Sequence, residues 1–494
     1  MRELIRALAC LGLALLAHGA GALEPDKFAV ERRSVTVEGR TLNYRSTAGA
    51  LAVTEGTPAR IFFVAYELEG ADPAQRPLAF AFNGGPGAAS AYLHLGALGP
   101  RRLALNDDGT VPPPPARLVD NDTSWLAFAD LVFIDPVGTG YSRAAGKDDK
   151  DGDGNFWGVR EDVETLARFI RLYLTRNARW LSPKYLVGES YGGFRVALLA
   201  DLLPAAHGIA LNGAVLISPA LQFAITRPDG YDVLPMALKL PTLTAVAMHH
   251  GKSTLARPPG GVDRGALAPV ETWAVETLLP GLARGGALTP PAQAVLADQV
   301  AGFTGLPVEL VRRNHAVVGG SDLAKHLLRG SGRVLDIYDG AVTGVDAEPE
   351  SGSLERPDQG LRALNAALLP AFSAYARDEL KLQTDLPYLL LNHEASGQWR
   401  WRGGRGQGYA GAADRLKAGM ALNPQLRVLV AHGLYDLVTP YFASAYVIDQ
   451  MHLPEALRAN LAFRTYAAGH MIYTHKLARD ALYRDAKALF QPGQ

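Results

Sequence analysis

A serine with glycines two positions away on either side is the first candidate for chemistry. Residues 188–192 (GESYG) follow a short apolar stretch and precede apolar residues at helical spacing. A serine hydroxyl becomes a nucleophile when a nearby base takes its proton and hydrogen-bond donors stabilise the oxyanion that forms. A G-x-S-x-G turn between a strand and a helix holds the serine in a position where such partners reach it. The pattern therefore predicts Ser190 as a nucleophile, against the alternative of a purely structural turn.

An acid partner is expected later in the chain than the serine, in the loop after a strand. Residues 426–430 (LRVLV) have the pattern of a buried strand, and Asp436 lies in the segment that follows it. Catalytic groups of open parallel sheets gather at the carboxyl ends of the strands. We expect Asp436 to fix the tautomer of a histidine and to balance its charge. Asp449, on a predicted helix, is a weaker alternative.

The base must be one of the histidines that follow Asp436, namely His452, His470 or His475. His452 lies near a proline and no strand leads to it. By contrast, a predicted strand at 461–466 leads into residues 467–470 (AAGH). These small residues leave an imidazole room to reach the serine. We predict His470 as the general base, with His475 as the alternative.

An oxyanion hole needs two preorganised donors. One is expected to be the backbone N–H of Tyr191, directly after the nucleophile. The other is expected from residues 83–87 (NGGPG), which follow an apolar strand pattern. Glycines allow the backbone to approach a substrate without an intervening side chain. A glycine-rich tight turn without this role is the alternative.

Strand and helix patterns alternate along both flanks of the chain, which favours a mostly parallel sheet covered on both faces. Predicted strands lie at 34–37, 41–44, 60–68, 77–82, 129–134, 185–187, 213–217, 426–430 and 461–466, and predicted helices at 161–174 and 194–203. We predict the α/β-hydrolase fold. Its core is expected at 23–220 and 402–494, separated by a largely helical cap insertion at 221–401. The alternative for this insertion is an independent second domain.

The first 22 residues have the features of a secretory signal peptide, with Arg2 and Arg6 before an apolar run and small residues at 20–22. We therefore expect residues 1–22 to be removed and the protein to be secreted or periplasmic. The single cysteine of the chain would leave with this segment, which excludes thiol catalysis and disulfides. No later apolar stretch is long enough to be a stable membrane anchor.

The composition excludes several other classes of function. Lysine plus arginine and aspartate plus glutamate both total 49, so no excess of positive charge indicates a nucleic-acid partner. No H-E-x-x-H pattern indicates a zinc peptidase. We expect no metal and no cofactor, and the sequence does not specify an oligomeric state.

Four separated motifs together resemble the serine carboxypeptidases: residues 83–87 (NGGPG), 136–142 (PVGTGYS), 188–192 (GESYG) and 469–471 (GHM). The resemblance implies an exopeptidase that removes the C-terminal residue of peptide substrates through an acyl-enzyme on Ser190. It also implies that Gly85 and Tyr191 supply the oxyanion donors, and that Asn83, Gly84 and Glu189 bind the terminal carboxylate.

The sequence departs from this family at two positions. In many members a second glutamate shares a proton with the residue that corresponds to Glu189, but here Ala97 stands at its place. Ala88 replaces the usual cysteine after the glycine loop. A carboxyl group hydrogen-bonds a carboxylate only while one of them holds a proton, so Glu189 needs a raised pKa. We expect activity closer to neutral pH than is typical of the family. The alternatives are an esterase or acyltransferase with the same triad, or a binding protein without catalysis.

Overall fold

A computed structural model describes residues 23–145, 152–226, 230–401 and 410–491. The predicted signal peptide, residues 1–22, lies outside the described residues. The strands are β1 (Phe28–Val37), β2 (Arg40–Val53), β3 (Ala59–Leu68), β4 (Leu78–Phe82), β5 (Arg101–Leu103), β6 (Leu118–Asp120), β7 (Asp130–Ile134), β8 (Arg143–Ala144), β9 (Lys184–Glu189), β10 (Gly213–Ile217), β11 (Arg333–Leu335), β12 (Thr343–Val345), β13 (Arg427–Gly433) and β14 (Leu461–Tyr466).

One large sheet has the strand order β1-β2-β3-β7-β4-β9-β10-β13-β14, with β8 beside β3. From β7 to β14 the neighbours are parallel, whereas β1, β2, β3 and β7 are paired antiparallel. β4, β7 and β10 are buried along their whole length, as expected for continuous apolar strands in a parallel sheet covered on both faces. The arrangement confirms the predicted α/β-hydrolase fold, and the strands predicted at 34–37 and 41–44 correspond to β1 and β2, which form a hairpin at its edge.

The register of the parallel strands determines where the functional loops lie. Phe82 pairs with Gly188, and Ile217 pairs with both Glu189 and Ala431. The segments that follow β4, β9, β10 and β13 therefore leave the sheet at one common edge. This places the glycine loop, Ser190 and Asp436 near one another although they are distant in sequence.

Helices lie on both faces of this sheet and beyond its carboxyl edge. They are α1 (Ala91–Leu93), α2 (Val159–Arg176), α3 (Tyr191–His207), α4 (Phe223–Thr226), α5 (Val233–His249), α6 (Arg264–Trp273), α7 (Leu279–Arg284), α8 (Pro290–Thr304), α9 (Val308–Arg313), α10 (Gly320–His326), α11 (Gln359–Asp378), α12 (His393–Gly397), α13 (Ala413–Leu422), α14 (Tyr441–Gln450), α15 (Glu455–Arg458) and α16 (Lys476–Phe490). Apolar residues of α2, α3 and α13 pack on one face, and those of α11 and α16 pack on the other. The helices predicted at 161–174 and 194–203 are thus confirmed, each slightly longer than predicted.

The segment between β10 and β13 is mostly helical and has two kinds of packing. Residues of α5, α6 and α8 form an apolar cluster of their own, which also includes Tyr435 and Tyr441 from beyond β13. In contrast, α11 packs in the same apolar cluster as the sheet. One part of this segment therefore lies over the loops at the carboxyl edge, and the other is integrated with the core. Among the described residues, no helix is both long and apolar enough to span a membrane.

Candidate active site

Ser190 lies at the junction of β9 and α3 with φ of 58° and ψ of −121°. A positive φ is strained for a residue with a side chain and is often found at functional sites. The turn leaves no space for larger neighbours, since a Cβ atom at Gly192 would lie 2.5 Å from the carbonyl oxygen of Phe82. The Ser190 N–H donates to the Ile217 carbonyl at 2.8 Å, which ties the turn to the adjacent strand. The serine side chain is half-buried at the end of this sharp turn.

His470 and Asp436 form a buried pair at the same edge of the sheet. The distance from His470 Nδ1 to Asp436 Oδ2 is 2.7 Å, and Asp436 Oδ1 accepts the N–H groups of Val438 and Thr439 at 2.9 Å each. Burial disfavours the imidazolium, but attraction to Asp436 and Glu189 outweighs it and raises the pKa of His470. A proton on Nδ1 leaves Nε2 as the acceptor for a serine hydroxyl.

Ser190 and His470 line one cavity of about 190 Å³. The alternatives considered from the sequence lie elsewhere. Asp449 is exposed on α14 and His452 is exposed after it, while His475 Nε2 contacts Asp339 Oδ2 at 2.5 Å. None of these three side chains lines the cavity that contains Ser190.

Three residues that hold the His470–Asp436 pair were not identified from the sequence. Thr439 Oγ1 donates to Asp436 Oδ2 at 2.6 Å and lies 3.1 Å from His470 Nδ1. Ser218 Oγ donates to the His470 carbonyl at 2.7 Å, and the Tyr338 carbonyl accepts the His470 N–H at 2.6 Å. Thr439 could have been identified from the sequence, because it lies three residues after Asp436 and an aspartate often accepts the backbone N–H groups of residues two and three positions later. Ser218 and Tyr338 are distant in sequence from both residues of the pair, so no local sequence pattern indicates their contacts.

The glycine loop lies directly against the turn that carries Ser190. A Cβ atom at Gly84 would lie 2.5 Å from the Tyr191 nitrogen, and Gly85 and Tyr191 both line the cavity. The distance between loop and turn is thus small enough that only glycine fits at position 84. This arrangement brings the two amides predicted as oxyanion donors to one side of the cavity.

A buried arginine holds the glycine loop from behind. Arg195 is fully buried, forms an ion pair with Asp162 at 2.7 Å and donates to the carbonyl oxygens of Asn83 and Gly84. The C=O and N–H groups of a trans peptide unit point in opposite directions. Because the Gly84 carbonyl faces Arg195, the N–H of Gly85 is directed away from Arg195. This is the orientation expected if the N–H of Gly85 is an oxyanion donor.

Glu189 is fully buried beside Ser190. Its Oε2 accepts hydrogen bonds from Asn83 Nδ2 at 3.0 Å and from the Tyr473 hydroxyl at 2.6 Å. Burial raises the pKa of Glu189 to about 7, although His470, Tyr473 and Asn83 each stabilise the charged form. The orientation of the Asn83 amide is fixed because its Oδ1 accepts the N–H of Leu93 at 2.9 Å. Below about pH 7, Glu189 is therefore mainly a neutral carboxylic acid with a proton to donate.

The remaining walls of the cavity come mainly from the segment between β10 and β13. They include Phe223, Thr226, Tyr338, Leu361 and Leu391. A second cavity of about 280 Å³ is also lined by Tyr338, Leu361 and Met471, so the two spaces adjoin. Over the described part of the chain, no cluster of three or more His, Cys, Asp or Glu residues is arranged to hold a metal ion.

Part of this chain matches a family of known proteins. Residues 37–228 match the family model described as serine carboxypeptidase. Serine carboxypeptidase-like 45 from Arabidopsis thaliana is 28% identical over 37% of this chain and 38% of its own length. Pheromone-processing carboxypeptidase KEX1 from Phytophthora infestans is 31% identical over 31% of this chain and 25% of its own length. The matches thus span less than half the length of these two relatives.

A solved acetylester hydrolase from Corynebacterium glutamicum is similar over 92% of this chain and 96% of that chain, with 14% sequence identity and a TM-score of 0.38. A similarity of this size does not bear on activity. The match to the family model spans the glycine loop, residues 136–142 and the turn that carries Ser190. The resemblance of this chain to the serine carboxypeptidases, predicted from its motifs, is therefore confirmed for residues 37–228.

Proposed function

We propose that this protein is a serine-type carboxypeptidase that hydrolyses the C-terminal peptide bond of peptides, with Ser190, His470 and Asp436 as its catalytic triad. One observation carries the proposal. The cavity that holds Ser190 and His470 also holds Glu189 and Asn83, a hydrogen-bonded pair suited to a carboxylate. Because the nucleophile lies close to a group that can bind a carboxylate, the cavity suits a substrate whose C-terminal peptide bond is hydrolysed.

Acylation begins when His470 Nε2 takes the proton of the Ser190 hydroxyl and Oγ attacks the scissile carbonyl carbon. The new oxyanion is stabilised by the N–H groups of Gly85 and Tyr191. The C–N bond breaks as His470 returns the proton to the leaving amine, and a free amino acid departs. Asp436 remains ionised and stabilises the imidazolium.

Deacylation repeats these steps with water as the nucleophile. His470 takes a proton from a water molecule while the oxygen of that water attacks the ester carbon of the acyl-enzyme. The bond to Ser190 Oγ breaks, and His470 returns the proton to that oxygen. The shortened peptide leaves with a new C-terminal carboxylate.

The terminal carboxylate of the substrate is assigned to Asn83, Gly84 and Glu189. A neutral Glu189 donates a hydrogen bond to it, whereas an ionised Glu189 repels it. Since the pKa of Glu189 lies at about 7, substrate binding weakens as the pH rises through neutrality. This agrees with the expectation of activity closer to neutral pH.

The cellular location and the role of the insertion are also part of the proposal. Residues 1–22 are a signal peptide, and the mature protein is secreted or periplasmic. Residues 221–401 form a cap insertion that supplies the walls of the substrate cavity. Sequencing the N-terminus of exported protein tests the first point: it is expected to begin at Leu23, and an intact N-terminus would contradict it.

The activity is tested with pairs of short blocked peptides that have either a free or an amidated C-terminus. Release of single C-terminal residues from the free acids alone is expected. The Ser190→Ala variant is the control, with a loss of kcat of roughly 10⁵- to 10⁶-fold and no covalent labelling by an organophosphate fluoride. Hydrolysis of activated esters without any cleavage of peptides would instead identify an esterase or acyltransferase. Absence of labelling in the native protein would exclude a serine hydrolase.

A further inference from the structure

Tyr473 contacts the candidate carboxylate site but has no role in the steps above. It lies three residues after His470, in the segment that follows the histidine turn, and is fully buried. Its hydroxyl donates to Glu189 Oε2 at 2.6 Å. Its ring lies against the backbone beside Ala97, because a Cβ atom at Gly96 would be 2.5 Å from the ring. The ring of Tyr473 thus packs against Gly96, the neighbour in sequence of Ala97.

The hydrogen bonds to Glu189 determine which of its two oxygens carries the acid proton. Oε2 accepts from both Asn83 Nδ2 and the Tyr473 hydroxyl. The Asn83 amide nitrogen is a donor only, and its orientation is fixed by the contact of Oδ1 with Leu93. The Tyr473 hydroxyl can donate or accept, but Asn83 Nδ2 only donates, and the carbonyl oxygen of a neutral acid is a better acceptor than its hydroxyl oxygen. Oε2 is therefore assigned as the carbonyl oxygen, which places the acid proton on Oε1. Among the described residues Oε1 accepts no hydrogen bond, and Glu189 lines the cavity.

We propose that Tyr473 is a positioning residue which, together with Asn83, fixes the acid proton of Glu189 on Oε1, where it faces the terminal carboxylate of a substrate. The proposal rests on the proposed carboxypeptidase function. A second carboxyl group would share the proton and would itself ionise. A phenol buried in this way keeps its proton, since burial raises the pKa of Tyr473.

The charges around Glu189 determine how the site responds to pH. His470 and Asp436 act on it from the two loops beyond β14 and β13, with opposite signs. Tyr92 lies near it from α1, and burial raises the pKa of that phenol above the ordinary value. Tyr473 stabilises the ionised form of Glu189 by its hydrogen bond. Loss of the Tyr473 hydroxyl therefore raises the pKa of Glu189 and also frees its proton to move to Oε2.

Binding of a small carboxylate tests the proposal without requiring peptide cleavage. The probe is N-acetyl-4-fluorophenylalanine, with its amide as the reference ligand, and Kd is measured by ¹⁹F NMR between pH 5 and pH 9. The native protein is expected to prefer the acid and to lose affinity above about pH 7, as the carboxyl group of Glu189 ionises. Tyr473→Phe is expected to bind the acid roughly tenfold more weakly at pH 6 and to lose affinity at a higher pH than the native protein.

Glu189→Gln is the second variant, because glutamine imitates the proposed neutral state. Its side-chain oxygen accepts from Asn83 and Tyr473, and its NH₂ group faces the carboxylate at every pH. Affinity for the acid is expected to stay constant above pH 7, and adding Tyr473→Phe to this variant is expected to weaken it roughly tenfold. Tyr92→Phe is the matched control. Tyr92 lines the same cavity, but its hydroxyl donates to Asn365 at 2.7 Å rather than to Glu189. The pH midpoint of this variant is therefore expected to match that of the native protein.

The outcomes separate the two proposals. If the native protein binds the acid and the amide equally, carboxylate recognition is absent and both proposals fail. If the native protein prefers the acid but Tyr473→Phe keeps its Kd and its pH midpoint, only the assignment of Tyr473 is wrong. Thermal unfolding of each variant verifies that it is folded.

Discussion

The carboxyl edge of the sheet and the helical segment between β10 and β13 both line the cavity around Ser190, but they contribute in different ways. At the edge, function depends on backbone geometry: Ser190 has a positive φ, and the glycine loop lies too close to Tyr191 to admit a Cβ atom. The helical segment contributes side chains such as Phe223 and Leu361 from ordinary helices. A constrained backbone permits few residue types at each position, so this region can be recognised in the sequence as a motif. An apolar cavity wall can be built from many residue types, so this region has no sequence motif.

The largest effect is expected from a methyl group added at the edge. In Gly84→Ala the new Cβ would lie 2.5 Å from the Tyr191 nitrogen, so loop and turn must separate and the oxyanion donors lose their alignment. Loss of one such donor typically lowers kcat by roughly 10²- to 10³-fold. Steady-state kinetics on a peptide or ester substrate measures this. The matched control is Gly286→Ala in the helical segment, where a Cβ atom has no neighbour within 4 Å. A similar loss of kcat in Gly84→Ala and Gly286→Ala would show that the two regions do not differ in their tolerance of a side chain.

An intermediate effect is expected in the pH dependence of stability. Burial raises the pKa of Glu189 from 4.5 to about 7 in the folded protein. Between these two pH values the carboxyl group is protonated in the folded state and ionised in the unfolded chain. The resulting contribution to stability is present below about pH 4.5 and is lost as the pH rises through about 7. Glutamine does not ionise, so Glu189→Gln does not lose this contribution. The difference in free energy of unfolding between this variant and the native protein is expected to shift by about 3 kcal/mol in favour of the variant as the pH rises from about 4.5 to above 7. Urea unfolding at pH 4.5 and pH 8.5 measures the difference.

The helical segment offers a matched carboxylate for this comparison. Both oxygens of Asp336 accept backbone N–H groups, Oδ1 from Tyr338 at 2.8 Å and Oδ2 from Gly360 at 2.6 Å. Asp336→Asn would direct an NH₂ group at a donor, so it is expected to be less stable than the native protein at both pH values. Burial also raises the pKa of Asp336, to about 6, so this deficit is expected to be smaller at pH 8.5 than at pH 4.5. A variant more stable than the native protein at pH 8.5 would show that the two carboxylates do not differ in the way described.

The smallest effect is expected from a change in the apolar wall. Leu361→Ala enlarges the cavity where it adjoins its larger neighbour and leaves the triad in place. We expect the relative kcat/KM values of substrates with different C-terminal residues to change by roughly tenfold, in favour of bulkier residues. Profiling a peptide library in which only the C-terminal residue varies measures this. An equal loss for every C-terminal residue would show that position 361 affects the catalytic groups rather than the choice of substrate.

The sequence was informative where local chain geometry and function coincide. The strand patterns at 213–217 and 461–466 correspond to β10 and β14, and strand ends placed Asp436 and His470 at one edge. What could not be predicted depends on contacts between distant segments. Ser218 reaches the His470 carbonyl and Tyr473 reaches Glu189 only because the register of the parallel strands aligns their ends. The antiparallel strands β1 and β2 are longer than the predicted 34–37 and 41–44, whereas β3 was predicted to within one residue.

The packing of α11 has a consequence for how substrate preference changes in this protein. Leu361, at the start of this helix, lines the cavity, while Leu364, Leu368 and Phe372 further along it belong to the main apolar cluster under the sheet. The same helix therefore shapes the substrate space and supports the fold. Exchanging residues 221–401 as a block with those of a relative would remove part of the protein's own interior. New preferences are better sought by single replacements facing the cavity than by transplanting the whole segment.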